Sequence, residues 1–280
     1  MVKLIALDLD GTLLNSKGQI NKEDKIALRN FYKKGGIVVI ASGRMTDCVY
    51  IYSKILQIDT PLIVYNGAMV RLSEKEKRKI IYHNPVPLKY SRFIIEYCIK
   101  NEFLLNFYYN DILYAQNLPS LRKYAEIYSK QTGAKYNFID DLRKFKDKRP
   151  TKLILITEPS FANNISNERK RDYQYNYFKK FFDKKLNIVK TNPEYLEFMN
   201  KGVNKGKGLE KLAIYYRIKR DDIIAFGDGE NDLEMLLYAG ISVVPKNAKE
   251  KVKKIAKIVS DYTNDQSFIS KFLKGFIKND

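Results

Sequence analysis

Short apolar runs alternate with stretches of helical periodicity through the first 65 residues. Leu4-Ile5-Ala6-Leu7 is a continuous apolar run, the mark of a strand buried on both faces. Asn21, with Asp24 three positions on, is a favourable N-cap and predicts a helix burying Ile26, Leu28, Phe31 and Tyr32 before Gly35-Gly36 stops it. Ile37-Val38-Val39-Ile40 reads as a second strand, 47–56 as a second helix and Leu62-Ile63-Val64-Tyr65 as a third strand. Strand and helix in alternation, with strands apolar throughout, predict a parallel sheet covered on both faces.

The same grammar returns late in the chain. Helices are predicted over 206–216 and 232–238, strands at Ile223-Ile224-Ala225-Phe226 and Ile241-Ser242-Val243-Val244, and a lysine-rich helix over 249–257. The middle differs: 20 of the 36 Phe and Tyr residues fall within 84–190, and extended patches at 104–109 and 153–157 interleave with helical patterns near 90–100, 120–132 and 168–182. This predicts an α/β fold: a Rossmann-like parallel-sheet core formed by 1–84 and 191–280, with an α+β cap domain, 85–190, inserted into it. Pro85, Pro87 and Asn192-Pro193 mark the expected hinges, and 163–167 an expected polar loop. No internal repeat is visible.

Hydrophobic residues make up 45% and charged residues 30%, which places the chain among ordinary globular proteins and away from disordered or fibrous classes. Two cysteines, Cys48 and Cys98, are too few for a disulfide framework and lack metal-type spacing. The N-terminal apolar run ends at Asp8, so it does not read as a signal peptide. No run approaches the roughly 18 apolar residues that span a membrane, and the cytoplasm is the expected compartment. The net charge of +19 is compatible with a polyanion partner or with anionic small substrates. It is not confined to one tract: 84–190 carries 21 Lys and Arg against 11 Asp and Glu, and the flanks hold the rest.

Candidate chemistry sits at the strand ends. Asp8-Leu9-Asp10-Gly11-Thr12 closes the first strand, where residues i and i+2 point the same way, so both carboxylates can face one spot. That spot is the carboxyl end of a parallel strand, where open α/β sheets bind ligands. Two close acids repel unless a cation or a shared proton relieves them. Ala41-Ser42-Gly43-Arg44 closes the second strand with a hydroxyl and exposed amides suited to an oxyanion. In Gly227-Asp228-Gly229-Glu230-Asn231-Asp232, Asp228 occupies the position on its strand that Asp8 has on the first, and the two together supply oxygen ligands for Mg2+. Asn231 or Asp232 also reads as the N-cap of the next helix. In Gly202-Val203-Asn204-Lys205-Gly206-Lys207-Gly208, a lysine at a helix start can reach a phosphate, and spacing alone does not say which.

Together these segments, with Tyr65-Asn66-Gly67-Ala68, resemble the haloacid dehalogenase superfamily, and within it the Cof-type phosphatases that carry a large cap domain. The resemblance spans essentially the whole chain. It implies that Asp8 is a nucleophile forming an aspartyl-phosphate and that Asp10 is the general acid and then base. It implies that Lys205 neutralises charge and that Thr12, Ser42 and Asn231 support the phosphoryl group. It implies Mg2+ held by the Asp8 and Asp228 side chains and the Asp10 carbonyl, with Asp232 orienting Lys205. Gly43, Arg44 and Asn66 are further candidates for substrate contact. The chain departs from the family pattern at Pro245-Lys246-Asn247-Ala248 and at Thr263-Asn264-Asp265-Gln266-Ser267, neither of which contains a member of this set. The sole histidine, His83, reads as structural.

The expected function is therefore a Mg2+-dependent phosphatase of small phosphate monoesters, sugar phosphates first. Flavin mononucleotide or pyridoxal phosphate is the alternative substrate, and phosphomutase activity is a more distant alternative function. A rival of another class is a basic protein that binds polyanions or nucleic acid on the same fold. Its charge supports it, while the full catalytic set and the lack of any nucleic-acid motif oppose it. The expected partner is a small phosphate ester, with no membrane and no nucleic acid. The sequence carries no signal for an oligomeric state.

Overall fold

In the computed structural model, which describes residues 2–157, 165–191 and 194–277, the first strand runs up the middle of a sheet. The chain begins β1 (Leu4–Asp8), α1 (Lys22–Lys33), β2 (Ile37–Ala41), α2 (Thr46–Leu56), β3 (Leu62–Val64), β4 (Met69–Arg71) and β5 (Ile80–His83). It continues α3 (Leu88–Lys100), β6 (Leu104–Tyr109), β7 (Ile112–Gln116), α4 (Pro119–Thr132), β8 (Tyr136–Ile139), β9 (Lys152–Ile156), α5 (Ile165–Phe182), β10 (Leu186–Lys190) and β11 (Tyr195–Asn200). It ends α6 (Lys205–Tyr216), β12 (Ile223–Phe226), α7 (Leu233–Tyr238), β13 (Ile241–Val244), α8 (Glu250–Lys253), β14 (Ile258–Val259) and α9 (Phe268–Ile277).

Two compact units result: 2–83 with 204–277, and 84–203. The first holds an eight-stranded sheet in the order β14-β13-β12-β1-β2-β3-β4-β5. Pairing is parallel from β14 to β3 and antiparallel for β3-β4 and β4-β5, so the sheet is mixed at one end. The run after β3 gave no strand signal because β4 has three residues and β5 presents an exposed Ile80. Side chains alternate across β1 and β12. Leu4, Ala6, Ile223 and Ala225 pack with Leu209, Leu212 and Met235 from α6 and α7. On the other face, the Phe226 ring meets Phe268 and Phe272 of α9 at 5.7 Å each. Both faces are covered, which is why these strands read as unbroken apolar runs.

Helix α1 buries Leu28 and half-buries Phe31 and Tyr32 as expected, but Ile26 is not among its inward residues. Asp24 and Leu28, one turn apart, point inward, whereas Ile26 lies two positions from each and is 48% exposed. A buried acid is tolerated there because Asp24 accepts the Ser270 N–H at 2.7 Å. Nor does Asn21 cap α1 with its side chain, which instead donates to the Asn264 carbonyl at 2.6 Å. The lysine-rich segment after β13 forms only the four-residue α8 rather than a helix over 249–257.

The second unit holds a six-stranded sheet, β10-β11-β9-β6-β7-β8, antiparallel except for β7-β8, which α4 connects as a crossover. Leu105, Phe107, Leu153, Leu155, Leu196 and Phe198 on one face meet Ile94, Cys98, Phe178 and Phe182 of α3 and α5. The return to the first unit falls after Val203, not at 190/191 as the sequence suggested, and Asn84 goes with the second unit. The reason is β11, which lies between β10 and β9 and is hydrogen-bonded to both. The expected hinge at Asn192-Pro193 and the Asn163 and Asn164 end of the expected polar loop lie outside the described residues, while 165–167 belong to α5. Among the described residues, no helix is long and apolar enough to cross a membrane.

Candidate active site

The carboxyl ends of β1, β2, β3 and β12 meet the N-terminus of α6 within the first unit. Asp8 is the last residue of β1 and only 5% exposed. Lys205, the first residue of α6, is fully buried. Its ammonium donates to Asp8 Oδ1 and, at 2.6 Å, to Asp232 Oδ1. Two local features place that lysine. Asn204 caps α6, its side chain accepting the Lys207 N–H at 2.7 Å. After β3 the chain turns through Tyr65, Asn66 and Gly67, all at positive φ, and a Cβ on Gly67 would stand 2.0 Å from the Asn204 carbonyl oxygen. Only glycine allows α6 to start that close to the turn.

The loop after β12 supplies the remaining acids. Asp232 Oδ2 accepts the N–H groups of Asp228 and Gly229 at 3.0 and 2.9 Å. Both its oxygens are thereby committed, and its side chain reaches back to the loop rather than capping the helix that follows. Asp228 Oδ1 accepts the buried Thr12 hydroxyl at 2.8 Å. Gly11, at φ +83°, brings the loop after β1 so near that a Cβ would lie 2.5 Å from Asp228 Oδ2.

Oxygens of Asp8, Asp228 and Asp232 lie within 4.8 Å of one another. Among the described residues, the ammonium of Lys205 stands against these three carboxylates. Burial, then the Asp232 charge, pushes the Asp8 carboxyl well above the usual carboxylate range despite Lys205. Burial likewise raises Asp228, against the Thr12 hydrogen bond. Burial opposes the charge on Lys205, but Asp232 and Asp8 outweigh it and the ammonium is held more firmly than usual. The site is short of positive charge and lined with hard oxygen donors. This fits a divalent cation, with Asp8 and Asp228 the side chains that have an oxygen to offer.

Asp10, two residues beyond Asp8, faces a different environment. It is 55% exposed, and Arg44 grips it with two hydrogen bonds, Nε to Oδ2 at 3.0 Å and a terminal nitrogen to Oδ1 at 2.6 Å. Burial disfavours the Arg44 charge, but Asp10 outweighs that and raises its pKa. Ser42 is buried, its Oγ accepting the Arg44 N–H at 3.2 Å. Its carbonyl accepts the Asn66 N–H at 3.0 Å. Asn66 Oδ1 accepts from Asn231 Nδ2 at 3.2 Å, and a Cβ on Gly43 would stand 2.9 Å from that same oxygen.

The candidates thus form one network of buried Asp8, Thr12, Lys205 and Asp232 with half-buried Asp228, beside the Asp10–Arg44–Ser42 group and the Asn66–Asn231 pair next to Gly43. The Thr12 hydroxyl is spent on Asp228 rather than left for an oxyanion. Asn204 and Tyr65 were not anticipated. Asn204 carried a signal, a capping residue just before a helical run, while the left-handed Tyr65 carried none.

A buried carboxylate paired with lysine, a close acid pair and a more exposed acid thus stand together at the strand ends of an α/β fold. A profile of haloacid dehalogenase-like hydrolases matches residues 5–273. The 5-amino-6-(5-phospho-D-ribitylamino)uracil phosphatase YitU of Bacillus subtilis is 28% identical over 98% of this chain and 97% of its own. TM0651 from Thermotoga maritima has a TM-score of 0.85 at 31% identity, covering 98% of this chain and 97% of that one. BT1666 of Bacteroides thetaiotaomicron, a phosphatase of the haloalkanoate enzyme superfamily, has a TM-score of 0.77 at 27% identity, covering 99% and 95%. The chain belongs to the haloacid dehalogenase-like hydrolase family and is an enzyme of its phosphatase branch.

Proposed function

We propose that the enzyme is a Mg2+-dependent phosphatase that hydrolyses small phosphate monoesters, sugar phosphates foremost, through an aspartyl-phosphate on Asp8. The observation that carries this reading is the contrast between two carboxylates from one strand end. Asp8 is buried and held by Lys205, and Asp10 stands at the rim in the grip of Arg44. A nucleophile benefits from fixed position and neutralised charge, and an acid–base group from access to alcohol and water.

In the first step an oxygen of Asp8 attacks phosphorus in line, the bond to the ester oxygen breaks, and Asp10, protonated and released from one of its two Arg44 contacts, gives its proton to the departing alcohol. In the second, Asp10 takes a proton from water, whose oxygen attacks phosphorus and breaks the bond to Asp8. Lys205 keeps Asp8 oriented and offsets the charge gathering on the phosphoryl oxygens. Asp232 holds Lys205 and the backbone of Asp228, and Thr12 holds the Asp228 side chain. Ser42, Gly43, Asn66 and Asn231 form the polar wall on which the phosphoryl group is positioned. Mg2+, when bound by Asp8, Asp228 and the Asp10 carbonyl, supplies the positive charge these residues lack.

The unit 84–203 is proposed to choose the alcohol. YitU and YcsE of Bacillus subtilis are named for a ribityl phosphate joined to a pyrimidine, which combines a polyol phosphate with a flat ring. The decisive assay measures phosphate release from sugar phosphates, that ribityl phosphate, flavin mononucleotide and pyridoxal phosphate, with Mg2+, with chelator and with Asp8→Ala. Mg2+-dependent release lost in the variant is expected. No release from any ester, together with salt-sensitive polyanion binding that survives Asp8→Ala, would replace the phosphatase reading.

A further inference from the structure

The segment Thr263-Asn264-Asp265-Gln266-Ser267, which departs from the family pattern, lies against the back of the two loops that carry the acids. Asn264 is 8% exposed and makes three hydrogen bonds. Its Nδ2 donates to the Leu14 carbonyl at 2.8 Å, its own carbonyl accepts from Asn21 Nδ2 at 2.6 Å, and its N–H donates to Asn247 Oδ1 at 3.2 Å.

Two of these partners, Leu14 and Asn247, lead to site residues. The N–H of Leu14 donates to the Leu9 carbonyl at 2.9 Å and that of Leu13 to the Asp8 carbonyl at 3.2 Å, so Leu14 closes the turn that contains Asp10, Gly11 and Thr12. On the other side, Asn247 lies two residues before Lys249, whose N–H donates to the Asp228 carbonyl at 3.1 Å. The two loops meet in front through the Thr12 hydroxyl on Asp228. Asn264 joins them again from behind.

We propose that Asn264 is a positioning residue for the phosphatase reaction, holding the Asp10–Thr12 turn and the Asp228 loop at a fixed separation. This rests on the phosphatase reading above. Neighbouring bonds of the same segment fasten other places: Ser267 Oγ donates to Glu23 Oε2 at 3.0 Å and Asp265 Oδ1 accepts the Ser16 N–H at 2.7 Å. They serve as internal references.

Three variants test the proposal. Asn264→Asp keeps size and backbone bonds but has no N–H for the Leu14 carbonyl. Asn247→Ala, at an exposed position, removes the link toward Asp228. Ser267→Ala loosens the segment without touching either loop. Each is assayed for p-nitrophenyl phosphate hydrolysis at saturating Mg2+, for thermal stability, and for amide exchange of Leu13 and Leu14. Displacement of a reacting group by about 1 Å costs up to roughly 100-fold in rate. Asn264→Asp and Asn247→Ala are therefore expected to lower kcat about 10- to 100-fold with KM within about twofold of the parent, and Asn264→Asp to speed exchange at Leu13 and Leu14. Ser267→Ala is expected to do neither. If all three lose kcat in proportion to thermal stability, Asn264 only stabilises the fold and the proposal falls. If the parent enzyme itself releases no p-nitrophenol, the phosphatase reading fails separately, and exchange decides: unchanged Leu13 and Leu14 rates in Asn264→Asp would overturn the positioning role, faster rates would sustain it.

Discussion

Replacing Asp232 by asparagine changes no volume and removes one charge, yet it should be among the most damaging substitutions in the chain. Asp232 is completely buried and accepts three hydrogen bonds, from the Lys205 ammonium at 2.6 Å and from the Asp228 and Gly229 N–H groups at 3.0 and 2.9 Å. An asparagine has one acceptor and one donor end. Turned one way, its NH2 faces the ammonium; turned the other, it faces two backbone donors. Donor meets donor in either case. Removing one partner of a buried ion pair costs about 3–5 kcal/mol. At about 2–4 °C per kcal/mol for a domain of this size, melting of the first unit should fall by roughly 6–20 °C. Lys205 would lose its anchor, and loss of one aligned donor lowers kcat by about 10²-fold. Differential scanning calorimetry and steady-state hydrolysis measure the two effects. Asp232→Asn combined with Lys205→Met should lose less stability than the sum of the single variants, because the partners fail together. A single variant within about 1 kcal/mol of the parent would refute the account of Asp232 as an acceptor with both oxygens committed.

Other perturbations probe the neighbouring contacts. Thr12→Val removes the donor to Asp228 and should cost about 1–3 kcal/mol while raising the Mg2+ concentration needed for half-maximal activity, both measurable by thermal unfolding and metal titration. Gly11→Ala forces a Cβ to within 2.5 Å of Asp228 Oδ2 at φ +83°, and should lower metal affinity in calorimetric titration as well as stability. Arg44→Lys keeps the charge but loses the two-pronged grip on Asp10, and should reduce kcat more than it changes stability. Burial raises the Asp24 pKa to about 6 from 3.8, so its carboxylate is a burden absent below about pH 4 and fully present above about pH 6. Asp24→Asn keeps the acceptor for Ser270 and sheds that burden. Urea unfolding should find it equal to the parent at pH 4 and more stable at pH 8, by up to about 3 kcal/mol.

Much of the site was legible because strand-end acids and strand periodicity are local signals. Asp8, Asp10 and Asp228 announce themselves by where apolar runs stop. Lys205 does not, since a chain with 51 Lys and Arg offers many cations, and only burial against two acids distinguishes it. The resemblance gave Thr12 as a phosphoryl ligand; its hydrogen bond to Asp228, 216 positions away, is a contact no local pattern encodes. On α1 only Ile26 was misplaced, for a similar reason: Asp24 is made tolerable inside by an amide from α9, and the apolar Ile26 lies outside. The extent of the inserted unit was missed at its far end because β11 is defined by its neighbours β9 and β10, not by a break in the sequence.

Every residue proposed to handle the phosphoryl group comes from the stretches before Asn84 and after Val203. The 120 residues of the intervening unit contribute none. Mutations that accumulate there leave the reactive groups in place, so a lineage carrying this scaffold can change which ester it accepts by drift in one contiguous block of its coding sequence. The ability to split the phosphate bond then survives each trial, and new selectivity needs no reinvention of the chemistry.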